Sequence, residues 1–232
     1  MRVLIIGGTS GYGLGVVEYL LDHVAGEVVA ASRSSKSHTI DVRKPSSVRQ
    51  FFMDQRTPFD VVVYSAGLAH GNDYLADKDL YLLKDVFDVN TIGLANVLKY
   101  AFMHLEQTKG HFIHIGSIAA YFTYAGAVDY CAAKAASNSI MKGIRYEWLG
   151  TGIRTTSIEI GLGYTNFQTN RYKGDQAKAA KHFEGVRQIN PYHLGEVVKN
   201  IINLPAYLNM DEIILKPLDQ VTHGVSTKNL KK

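Results

Sequence analysis

The sequence predicts a single-domain α/β fold in which a doubly wound parallel β-sheet carries helices on both faces. Three observations predict it: short β-branched apolar runs that recur along the chain, helical spacing between them, and a glycine cluster directly after the first run. Strand and helix in alternation imply a parallel sheet covered on both sides. A length of 232 residues suits one sizeable core rather than two independent ones.

Taken in order, the runs at 2–6, 27–31, 60–64, 111–115, 154–160 and 212–216 read as strands buried on both faces. A shorter stretch at 39–42 is counted as a seventh. Helical spacing occupies 11–24, 45–56, 80–106, 125–149 and 193–204, with Pro45 suited to a first-turn position. The polar, lysine-rich segment 164–190 breaks the rhythm, and its length predicts a lid over a site rather than a connector. The domain is expected to span 1–226, with a basic tail at 227–232.

Composition removes several classes of function. Hydrophobic residues make up 46% and charged residues 20%, ordinary globular values. Cys131 is the only cysteine, so no intrachain disulfide and no cysteine-based zinc site can form, which fits a reducing, cytoplasmic compartment. Glycines interrupt the apolar start before it becomes a secretory segment, and no run reaches membrane-spanning length. The net charge of +4 owes +3 to Lys228, Lys231 and Lys232, so the body is nearly neutral and neither nucleic acid nor a membrane is expected as partner. Of the nine histidines, His111 and His114 lie close together, but three apart on a strand they face opposite ways, and no metal site is expected.

The first strand runs into Gly7-Gly8-Thr9-Ser10-Gly11-Tyr12-Gly13 and then into an amphipathic helix. In that context a glycine cluster means dinucleotide binding: Gly7 permits the tight turn, Gly11 lets the backbone approach a pyrophosphate, and Gly13 lets the helix pack on the sheet. The helix N-terminus then faces the phosphates. The spacing GxxxGxG differs from the commoner GxGxxG, and without its strand and helix the cluster would be a flexible turn.

Tyr130 and Lys134 stand four apart in the predicted helix, on one face. Alone, such a pair is two solvated side chains. A phenol is a poor base near neutral pH, and a neighbouring ammonium lowers its pKa, as acid/base chemistry at a carbonyl requires. Ser117 follows the strand 111–115, at the end of a parallel strand where doubly wound folds bind ligands.

With these residues in place the sequence resembles the short-chain dehydrogenase/reductase family, a Rossmann-fold family, over nearly the whole chain. The GxxxGxG turn, Asp41, Ser65-Ala66-Gly67, Asn90, Ser117, Tyr130 with Lys134, and Ile160-Gly161 with Thr165 fall in its order and approximate spacing. The resemblance implies that Tyr130 is the acid/base, that Lys134 lowers its pKa and holds the nicotinamide ribose, and that Ser117 hydrogen-bonds the substrate oxygen. It implies that Asn90 maintains a water relay behind the lysine and Asp41 holds the adenine amide. Ala66 and Gly67 would line the adenosine side, and Gly161 and Thr165 the nicotinamide side. Three places depart from the pattern: Ile6 where threonine is usual, Tyr64-Ser65 in place of Asn-Asn, and Ile160 in place of proline. None removes a reacting group.

After the second strand, Ser32-Arg33-Ser34 lacks the acid that commonly binds a ribose 2′-hydroxyl, and a guanidinium with hydroxyls suits a 2′-phosphate. NADP(H) is therefore the expected cofactor, with NAD(H) a second choice, and Thr9, Ser10 and Tyr12 complete the expected cradle. The expected function is hydride transfer between nicotinamide and a small-molecule carbonyl or alcohol. The alternative on the same fold is a nucleotide-sensing binding protein without the chemistry, against which the intact Asn90, Ser117, Tyr130, Lys134 set argues. Tyr121, Phe122 and Tyr124, with Tyr164 and Phe167, are either pocket walls or loop packing. A homodimer or homotetramer is expected from the resemblance.

Overall fold

The computed structural model describes residues 1–223 and 225–227. Its main sheet contains β1 (Arg2–Ile6), β2 (Glu27–Ala31), β3 (Val61–Tyr64), β4 (His111–Ile115), β5 (Arg154–Ile160) and β6 (Glu212–Leu215). All pair in parallel, in the order β2-β1-β3-β4-β5-β6. The chain first winds outward from β1 to β2 and then returns to β3 on the other side. The order therefore reverses between β1 and β3, and the carboxyl ends of those strands open a crevice.

The helices are α1 (Gly11–His23), α2 (Pro45–Met53), α3 (Leu80–Phe87), α4 (Gly93–Thr108), α5 (Val128–Glu147), α6 (Phe167–Arg171), α7 (Gln176–Lys181) and α8 (Pro191–Ile202). Because successive strand side chains alternate faces, one sheet gives two cores. Val3, Ile5, Val63 and Ile158 pack on Val16 and Leu20 of α1 and Leu194 and Val198 of α8. Leu4, Ile6, Val62 and Phe112 face the other way, onto Phe52 of α2, Val97 of α4 and Met141 of α5. Each fully buried side chain of this size contributes about 1.5–3 kcal/mol. Helices α1 and α8 meet backbone to side chain: a Cβ on Gly15 would lie 2.3 Å from Pro191, and one on Gly195 2.2 Å from the Cβ of Tyr19.

Three elements differ from expectation. The strand at 39–42 is reduced to a single bridge between Ser32 and Thr39, because Asp41 is drawn toward α2. Its N–H donates to the Ser47 hydroxyl and its carboxylate is held by Arg43. The helix expected at 80–106 is broken by a π-turn, Asp88–Ile92. There the Tyr64 hydroxyl donates to the Val89 carbonyl at 2.5 Å and the Thr91 hydroxyl donates to the Ala133 carbonyl. The third is a small antiparallel pair, β7 (Gln220–Thr222) with β8 (Val225–Ser226), which was not anticipated. Segment 164–190 folds as α6 and α7, closed at its ends by a Gly163–Ile189 bridge. Of the expected tail, 228–232 lie outside the described residues. Among the described residues no helix is long and apolar enough to cross a membrane.

Candidate active site

A cavity of about 590 Å3 opens at the carboxyl ends of the strands. One end is lined by Gly7, Thr9, Ser10, Gly11, Tyr12, Ser32, Arg33 and Asp41, the middle by Ala66 and Gly67, and the other end by Ser117, Tyr130, Lys134, Gly161 and Thr165. Of the expected catalytic and cofactor-binding residues only Gly13 and Asn90 do not line it, and of the possible pocket walls Tyr121, Phe122 and Tyr164 do not.

At the first end, Gly7 has φ +84°, and a Cβ there would meet the Ala66 backbone at 2.7 Å. A Cβ on Gly13 would meet the Gly7 carbonyl at 2.3 Å, which holds the start of α1 against the turn. The first turn of α1 carries no acidic residue, and Ser10 makes no side-chain cap bond. Its early N–H groups are the unsatisfied donors that suit a phosphate. Around the end of β2 the Thr9 hydroxyl donates to Ser32 Oγ at 2.9 Å, with Ser34 Oγ 3.2 Å from the latter. Arg33 is exposed at the rim. Asp41 is gripped by Arg43 through both oxygens, and that hydrogen-bonded guanidinium holds its carboxyl below the usual range. This donor-rich, acid-poor end fits a phosphorylated dinucleotide.

At the other end, Ser117 leaves β4 in an extended conformation, its N–H donating to Glu159 Oε2 at 2.7 Å and its Oγ accepting from Ala119 N–H. Tyr130 lies at the start of α5, its ring against Phe167 at 5.5 Å. Lys134 is buried one turn on, its Nζ 5.9 Å from the Tyr130 ring centroid and 3.5 Å from the Ile115 carbonyl. Asn90, on the π-turn, donates both amide hydrogens, to the Leu68 and Val86 carbonyls, and its Oδ1 has no partner among the described residues. A Cβ on Gly67 would lie 3.0 Å from that oxygen and 3.6 Å from Lys134 Nζ, so both polar atoms converge on this glycine.

Burial dominates the electrostatics. It pushes the Tyr130 phenol above its ordinary value; the Ser117 hydroxyl and the Arg171 guanidinium act in the opposite direction. Lys134, expected from the sequence to lower the phenol, stands with its Nζ 5.9 Å from the ring centroid. Its own amine is brought down to about 8 by desolvation, with Glu159 partly offsetting this. Tyr12, whose hydroxyl donates to the Gly161 carbonyl, is likewise raised by burial.

Sequence reasoning missed Glu159, which is 0% exposed on β5. It accepts from Ser117 N–H, Ser157 Oγ and Asn138 Nδ2, and a Cβ on Gly116 would fall 2.3 Å from it. A carboxylate on a buried strand has to be satisfied by such partners, but β5 reads Arg-Thr-Thr-Ser-Ile-Glu-Ile and its polar residues hide the signal. Arg171 and Gln168 on α6, and Gln220 on β7, were also missed; they lie in polar stretches without a pattern. Phe167 and Tyr124 line the cavity, whereas Tyr121 is tied outside it to Glu212 and Asn138. His111 and His114 point to hydroxyls of β5, Thr156 and Ser157.

A model of the short chain dehydrogenase family matches residues 1–176. The chain belongs to that family. Among curated relatives it is similar to an NADP-dependent 3-hydroxy acid dehydrogenase of Salmonella typhi, 29% identical across 97% of this chain and 98% of the relative. It is also similar to a serine 3-dehydrogenase of Rhizobium radiobacter, 27% identical across 96% of each. Among solved structures, the closed form of serine dehydrogenase complexed with NADP+ superposes with a TM-score of 0.91 at 27% identity, covering all of both chains.

Proposed function

We propose that this short-chain dehydrogenase is an NADP(H)-dependent oxidoreductase acting on an alcohol or carbonyl carbon, with Tyr130 giving or taking the proton at the substrate oxygen. One observation carries the reading. Ser117, Tyr130 and Lys134 meet at one end of the cavity whose other end is the glycine turn with Ser32 and Arg33. The relatives named as NADP-dependent support the cofactor, and the absence of an acid after β2 agrees with it.

The nicotinamide, when bound, supplies the hydride chemistry. The chain's own residues do the rest. Ser117 Oγ accepts from Ala119 N–H and hydrogen-bonds the Tyr130 phenol, so a substrate oxygen placed between the two hydroxyls would take a hydrogen bond from each. Lys134 is aimed at the ribose side, and Asn90 Oδ1 is fixed as an acceptor that a water can link to the lysine. Thr9, Ser10, Gly11, Tyr12 and Gly13 form the phosphate cradle, Ser32 and Arg33 the 2′-phosphate contact, and Asp41, Ala66 and Gly67 the adenosine wall. Gly161 and Thr165 border the nicotinamide, and segment 164–190 closes the substrate side. The substrate is a small molecule; hydroxy acids head the test because the relatives' names include them. We further propose a homo-oligomer in a reducing, cytoplasmic setting, where buried Cys131 stays a thiol.

The test is a panel of hydroxy acids, other alcohols, aldehydes and ketones followed by nicotinamide absorbance, with wild type and Tyr130→Phe. Turnover is expected with NADP(H) and a loss of about 10²–10⁴ in the variant, with NADPH binding retained. A variant keeping more than about a tenth of wild-type turnover in a chemistry-limited assay overturns the assignment.

A further inference from the structure

Arg171, at the end of α6, is 2% exposed and yet has no carboxylate partner among the described residues. Its Nε donates to the Gly71 carbonyl at 2.6 Å, Nη1 to the Tyr124 hydroxyl at 3.1 Å and Nη2 to Asn72 Oδ1 at 2.9 Å. All three acceptors are neutral. A second bond runs back, from Gly71 N–H to the Arg171 carbonyl. Buried guanidinium groups are normally neutralised, because desolvating an unpaired charge is costly. Here the cation lies instead among tyrosine rings, its Cζ 5.7 Å from the centroid of Tyr124, 5.9 Å from Tyr130 and 6.0 Å from Tyr172.

We propose that Arg171 is a positioning residue for the acid/base: carried by segment 164–190, its unneutralised charge stabilises negative charge on the Tyr130 oxygen. The proposal rests on the reading of Tyr130 as the acid/base. Apart from Lys134, the other groups facing the phenol do not supply a positive charge. Tyr124 and Cys131 oppose it, Tyr12 is itself raised by burial, Ser117 gives only a hydrogen bond, and His223 is stacked on the far ring, that of Tyr124. Lys134 Nζ stands at the same 5.9 Å from the ring centroid, but burial brings its amine down to about 8, so Arg171 is the cation that keeps its charge throughout the pH range of the reaction. The same segment also sets Phe167 against the ring, so one element brings both a cation and an aromatic wall to the phenol.

The experiment measures kcat/KM against pH in the oxidation direction for wild type, Arg171→Met, Arg171→Lys and Asn72→Ala, with saturating NADP+ and the best alcohol of the panel. Alcohol oxidation needs the phenolate, so activity climbs with pH through the Tyr130 pKa. A cation at this range lowers such a pKa by about one pH unit or more. In Arg171→Met the acid limb should therefore move up by about one pH unit, with turnover at neutral pH about tenfold lower and recovering in base. Arg171→Lys should fall between it and wild type. Asn72→Ala, which removes one acceptor of the clasp together with the bond from Asn72 Nδ2 to the Ala125 carbonyl, should move the limb the same way by less. A uniform loss at every pH with an unmoved limb, or no loss, overturns the proposal. Should Arg171→Met fail to fold, Arg171→Lys and Asn72→Ala decide it alone: an unmoved limb in both sinks it. Tyr130→Phe separates the two claims, since its retention of turnover removes the acid/base reading whatever Arg171 does.

Discussion

At the scale of single residues, the site keeps an amine where burial does not favour its charge. Lys134 has a folded value of about 8, below the 10.5 of a free lysine, with desolvation as the main cause. Between those two values the unfolded chain holds more protons than the folded one, so stability rises with pH across that window and carries the full penalty below it. The displacement corresponds to about 3 kcal/mol at neutral pH. Lys134→Met should therefore raise the melting temperature of the cofactor-free protein at pH 7 by several degrees while abolishing most turnover. The gain should shrink as pH approaches 10.5. Calorimetry of both proteins at three pH values checks it, and a variant less stable than wild type at pH 7 counts against a buried charged amine. Tyr130, Lys134 and Ser117 were legible because helix pitch and strand ends fix their places locally. Glu159 was not, because its necessity lies in Asn138, Ser157 and the Ser117 amide, contributed by three different elements.

At the scale of elements, strands were easier to read than the segments between them. A β-branched run buried on both faces has few alternatives, and β1 to β5 fall within a residue of their expected bounds. The stretch at 39–42 failed because side chains of Arg43 and Ser47 capture Asp41, a competition that residue propensity does not register. The break at Asp88–Ile92 depends on Tyr64, 25 residues away, whose hydroxyl fixes Val89 beside Asn90. Tyr64 is one of the departures from the family pattern, and here it braces the turn that places Asn90. The end of β2 carries a separate consequence. Arg33 and the Thr9-Ser32-Ser34 hydroxyls form a rim with no carboxylate in it, so Arg33→Ala should cost about 1.5–3 kcal/mol, roughly ten to over a hundredfold in kcat/KM, with NADPH and little with NADH. Equal losses with both cofactors would remove Arg33 from the 2′-phosphate contact.

For the whole molecule, the family resemblance leads to an expectation about assembly, and the surface of α5 gives it a physical basis. The solvent-facing side of that helix presents Val128, Ala132, Ala135, Ser139, Gly143 and Tyr146, without a charge until Lys142 and Arg145 near its end. Alongside it Ile92 of the π-turn and Ala95 and Met103 of α4 are exposed, with Lys99 as the one charge between them. An ordinary solvated helix face is charged, whereas small uncharged residues let a second helix approach closely. Two copies joined by a two-fold axis would bury such a face against itself, and closed two-fold dimers are the commonest assembly. Light scattering at micromolar concentration should therefore give two or four times the 25.7 kDa of one chain. Ala135→Glu places a carboxylate at the centre of the face and, across a two-fold axis, brings it close to its own copy. Like charges desolvated in this way cost several kcal/mol, so the variant should fall to the single-chain mass while keeping its fold. Glu18→Lys on α1, on the opposite face of the sheet, should leave the mass unchanged. A wild-type particle of 25.7 kDa, or an assembly indifferent to Ala135→Glu, would place any contact elsewhere than α4 and α5.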